Sequence, residues 1–95
     1  MVAENKLDEI DFSTFVVSLG SSAALQLDAG QPEFDLALAQ NTIDILAMLQ
    51  VKTTGNLTAE ESALLSDILM QTRIAWSDAK KAVRQGDPAN VGTKG

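Results

Sequence analysis

Apolar and polar positions along this chain alternate with a helical period in three segments. In the first, Phe12, Phe15, Val16, Leu19, Ala23 and Leu27 recur three and four residues apart, the spacing of one face of an α-helix. Asp11 is an N-cap residue type. Ile10 before it and Phe15 four positions into the helix fit a hydrophobic staple. Gly30 and Pro32 then predict a stop, placing helix one at 11 to 28.

A second helix is predicted over 34 to 53, with Glu33 and Asp35 at the positive end of its dipole. Its apolar residues cover most of the circumference and leave a narrow polar stripe at Gln40, Asn41 and Asp44. A helix apolar nearly all round is expected to be buried on several sides. The stretch from Thr53 to Thr58 is a sharp break: Gly55 supplies a left-handed residue, and Thr58 with Glu61 matches a capping box. Helix three follows at 58 to 85, carrying Leu64, Leu65, Ile68, Leu69, Thr72, Ala75, Trp76, Ala79 and Val83 as its stripe. So short a connection makes helices two and three an antiparallel αα-hairpin. Residue 44 should then lie level with about Ser66, and Arg73 within reach of Asp35 or Gln40.

The fold class is therefore all-α, one domain at 11–85, with helix one crossing or capping the hairpin and the bundle completed by oligomerisation. Residues 1–10 read as a flexible acidic arm and 86–95 as a flexible tail of small residues. Composition supports association. The chain has 95 residues, 13 of them alanine and only four aromatic, so a core built from it is thin and a lone monomer only modestly stabilised.

Charge and chemistry narrow the functions. His, Cys and Tyr are absent, which removes the commonest general base, the thiol nucleophile and any Cys/His zinc site. No catalytic, cofactor-binding or metal-ligating residue is assigned, and no cofactor is expected. Thirteen acidic against seven basic residues give a net charge of −6, the wrong sign for neutralising a phosphate backbone. Lys80, Lys81 and Arg84 complement the dipole at the end of helix three. No apolar run approaches a membrane span, no secretion signal leads the chain, and the Asn56-Leu57-Thr58 sequon then has no glycosylation context. A cytoplasmic setting is expected.

Six residues stand out as interface candidates. Gly20 and Ala24, four apart, permit close helix approach against helix two or a second copy. Asp44 either faces water or makes a polar contact that specifies an interface. Met48, Met70 and Trp76 could anchor a partner or line a small-molecule pocket between helices.

Two blocks carry a resemblance. One runs Asp11-Phe12-Ser13-Thr14-Phe15-Val16-Val17-Ser18-Leu19-Gly20; the other contains Ile43-Asp44-Ile45-Leu46-Ala47-Met48-Leu49 and continues through Lys52-Thr53-Thr54-Gly55-Asn56-Leu57-Thr58. Across about 11–75 the chain resembles the short bacterial proteins grouped as a domain of unknown function and built around F-V-x-S-L and I-D-x-L-x-M-L…K-T-x-G-N-L-T blocks. The resemblance implies a small cytoplasmic bacterial protein without an agreed activity, so it transfers no residue role. The expected function is that of a non-enzymatic, homo-oligomeric interaction or regulatory module. The alternatives are an accessory subunit docking on a larger enzyme or envelope assembly, and a small-molecule-binding helical bundle.

Overall fold

The computed structural model describes residues 11–84; the expected arm at 1–10 and tail at 86–95 lie outside the described residues. It contains three helices, α1 (Phe12–Gln26), α2 (Leu36–Lys52) and α3 (Ala59–Arg84). Each packs against the other two, so α1 lies in the groove of the α2–α3 hairpin.

Local chemistry explains each start. The Asp11 carboxylate accepts a 2.8 Å bond from the Thr14 N–H, and Asp35 does the same for Leu38 at 3.0 Å. Both satisfy N–H groups that have no partner within the first helical turn. At α3 the capping box closes in both directions: the Thr58 hydroxyl accepts from the Glu61 N–H at 3.1 Å, and the Glu61 carboxylate accepts from the Thr58 N–H at 2.9 Å. Gly55, at φ +86°, sits in the turn closed by the Asn56 N–H on the Thr53 carbonyl at 2.9 Å. A side chain there would meet the steric penalty of the left-handed region.

Helix α1 ends two residues earlier than its pattern predicts, and Gly30 is not its left-handed cap. The Gly30 N–H is bound by the Asp28 carboxylate at 2.9 Å. The Gln26 carbonyl, which would need a donor from residue 30 to extend the helix, instead accepts from the Asp35 N–H at 2.8 Å. An Asx turn has outcompeted the next turn of helix.

The core consists of Val16, Ile43, Leu46, Leu65 and Leu69, with Ala23 and Ala39 also buried. Two of those seven are alanines, so the apolar area removed from water is small. Gly20 lets α1 approach α3 rather than α2: a Cβ there would lie 3.0 Å from Ile68 Cγ2. Two polar ties set the other seams. The Thr42 hydroxyl, buried between α1 and α2, donates to Gln26 Oε1 at 2.9 Å. Across α2 and α3, Gln50 Nε2 donates to Ser66 Oγ at 2.9 Å.

In the last contact the side chain that meets Ser66 is Gln50, while Asp44 bonds within its own helix to Gln40. Helical side chains lean toward the N-terminus of their own helix, so Gln50 reaches away from the turn and up α3. The expected reach of Arg73 to Asp35 or Gln40 is not realised. The Asp35 carboxylate is used as a cap, and the Gln40 amide donates to Asp44.

Two outcomes follow from these contacts. Gly20→Val should force α1 off α3 and lower unfolding stability by about 1–3 kcal/mol, read from the denaturant midpoint. The second concerns Asp11, whose carboxyl is held below its ordinary 3.8 by hydrogen bonds from the Thr14 backbone N–H and then its hydroxyl. A depressed folded-state value contributes stability above about 3.8 that is lost as pH falls through the lower folded value. The Thr14 amide resonance should therefore titrate with a midpoint under 3.8, and Asp11→Asn should abolish that titration.

Candidate functional site

The described residues offer two kinds of surface, a groove between α1 and α3 and outward apolar residues on all three helices, with Phe15, Val17 and Leu25 on α1. The groove has a volume of about 380 Å³, with Gly20, Ala24, Ile68 and Ala75 among its lining residues. It exists because positions 20, 24 and 75 carry little or no side chain on the surface where the two helices converge. Its polar groups are Ser21, Gln71 and Thr72. Two of these are engaged within α3: the Gln71 amide donates to the Asp67 carboxylate at 3.2 Å, and the Thr72 hydroxyl donates to the Ile68 carbonyl at 2.7 Å.

Of the six sequence candidates, the groove gathers Gly20 and Ala24. The expected pocket lined by Met48, Met70 and Trp76 is not the one that forms, since none of the three lines the groove. Met48 and Met70 point outward and are exposed. Trp76 is half-buried against the core, and its indole N–H donates to the Leu36 carbonyl at 2.9 Å. The Lys80 ammonium lies 4.9 Å from the ring centroid, a cation–π distance. Both the polar edge and one face of the indole are thus occupied within the chain, and Trp76 ties the start of α2 to α3.

Asp44 is exposed on the polar stripe of α2, where its carboxylate accepts from Gln40 Nε2 at 2.9 Å. The expected burial of α2 on several sides is only half realised within one chain. Ala39, Thr42, Ile43 and Leu46 are inside, while Leu38, Met48 and Val51 face outward, Val51 at 72% exposure. Only two other helices are available, and both lie on one side of α2. Ile74, 56% exposed beside Met70 at 54%, was legible as the residue one turn beyond Met70. Neither belongs to the inward stripe of α3, and that omission was the signal. Among the described residues, no group of three or more acidic side chains is placed to hold a metal ion. No described helix is long and apolar enough to cross a membrane.

Trp76→Phe keeps the apolar ring and deletes the donor to Leu36. It should cost about 0.5–1.5 kcal/mol of unfolding stability, measured by chemical denaturation, with helix content retained in the folded state.

No curated protein and no solved structure matches the chain. A family model does match, over residues 9–78, spanning all of α1 and α2 and α3 as far as Asp78. The chain belongs to the family described as domain of unknown function DUF1844.

Proposed function

We propose that this protein acts without catalysis of its own, as a homo-oligomeric helical module through which interaction or regulation is exerted. The observation that carries the reading is the outward apolar surface of the hairpin: Leu38, Met48 and Val51 on α2, with Met70 and Ile74 on α3. Single exposed apolar residues are ordinary on any protein, whereas rows of them on a chain with so thin a core favour a partner surface. The absence of His, Cys and Tyr throughout the sequence weighs against an enzyme that supplies its own acid–base or nucleophilic groups. A cytoplasmic, bacterial setting belongs to the same proposal, supported by the cysteine-free composition and the sequence blocks of the family.

Light scattering at tens of micromolar should return at least twice the 10.1 kDa chain mass. A monodisperse single chain would overturn the reading and leave the accessory-subunit alternative, in which a different protein covers the same rows.

A second reading has one observation in its favour. The α1–α3 groove, at about 380 Å³, falls within the range of small-molecule sites, roughly 300–1,000 Å³. Its mostly apolar lining would suit a small apolar ligand. Native mass spectrometry of protein purified from its own cells should then show a bound small molecule that Ala24→Leu, at an exposed position on the groove lining, displaces.

A further inference from the structure

We propose that two copies of this chain pair through the outward face of α3, antiparallel, with Met70 of each copy packed on Ile74 of the other. This inference rests on the self-association proposed above and specifies its surface and direction.

Glu60, Ala63, Asp67, Met70, Ile74, Ser77, Lys81 and Arg84 fall at alternating intervals of three and four that preserve one helical face, and all eight are exposed. That face lies opposite the buried Leu65, Leu69 and Thr72. Intervals of three and four residues are those of a seam between two long helices. The small Ala63 and Ser77 occupy the same face, which lets two backbones approach.

Charge selects the direction. The row is acidic in its first half, at Glu60 and Asp67, and basic in its last, at Lys81 and Arg84. A parallel pair in register would set Glu60 against Glu60, Asp67 against Asp67 and Lys81 against Lys81. An antiparallel pair centred at residue 72 sets Glu60 opposite Arg84 of the second copy. It also sets Asp67 opposite Ser77, with Arg73 and Lys81 about one turn to either side. Asp78, at the edge of the row, comes opposite the neutral Ser66. The helix dipole favours acid at the start and base at the end of any helix. It gives no reason for Met70 and Ile74 to stand more than half exposed between them, and an interface with copies of itself does. Asp44 and Lys52 are the only charged residues within α2, and α1, which exposes Phe15, Val17 and Leu25, has none, so charge selects no mate for either.

The chain has no cysteine, so an introduced one is the only thiol. In the antiparallel pair the two positions 70 are offset by about 6 Å along the axis and the two positions 63 by about 27 Å. Met70→Cys should therefore be captured as a covalent dimer by a short bismaleimide, and Ala63→Cys should not. Cross-linking at both sites would mean a parallel pair and would overturn the proposal. A second measurement uses Met70→Glu with Ile74→Glu. Both side chains point outward, so helix content by circular dichroism should be unchanged while the solution mass falls by half, to that of one chain. If the mass instead survives this double change and falls with Leu38→Glu and Met48→Glu, self-association stands and its assignment to α3 is wrong. If the unaltered protein is already a single chain, both readings fall together.

Discussion

The close approach of α1 to α3 at Gly20 is the constraint on which the rest of the molecule depends. With 3.0 Å between a notional Cβ at position 20 and Ile68 Cγ2, any side chain there presses on Ile68, which must give by a few tenths of an ångström. Because the helices meet so closely there, only seven apolar residues are fully buried between them, and partly buried side chains such as Leu19, Leu64 and Ile68 complete the packing. The same closeness fixes what stays outside. Three helices packed around so few side chains each bury one stripe and leave the remainder to solvent.

A core of this kind specifies orientation weakly, since alanine and leucine pack acceptably in several registers. Directional contacts at the seams supply what the core does not. The Gln26–Thr42 bond ties the end of α1 to the middle of α2. Gln50–Ser66 and Trp76–Leu36 hold α2 against α3 near opposite ends of α2. Each net contribution is modest, about 1 kcal/mol. Sliding a helix by one turn would break the tie across its seam, and the Thr42 hydroxyl would be left with the Leu38 carbonyl of its own helix.

Much of this was legible in the sequence. The Asp11 cap, the Gly55 turn and the Thr58–Glu61 box depend on residues within four positions of each other, and all three formed as their residue types imply. Gly30 was not legible in the same way. Its role turned on whether Gln26 would keep its carbonyl for residue 30, and the donor that took it, Asp35, is nine positions away. The candidate surface divides similarly. Gly20 and Ala24 were visible as small residues on one face, but that their partner is α3, and that a groove opens there, depended on how α1 lies in the hairpin. Met48, Met70 and Trp76 look alike as large apolar residues in a helical pattern. Packing separates them, turning the two methionines outward and the indole inward.

By itself the sequence determined three helices, their starts, the antiparallel hairpin and a chemistry without histidine, cysteine or tyrosine, because these follow from periodicity, capping and composition. Only the tertiary structure decided which helix Gly20 admits, which side chains tie α2 to α3, and which apolar residues remain uncovered. Those depend on how three amphipathic surfaces share one small interior. Interactions within one helical turn are written into neighbouring residues, whereas the division of a core among helices is settled only when all of them compete for it.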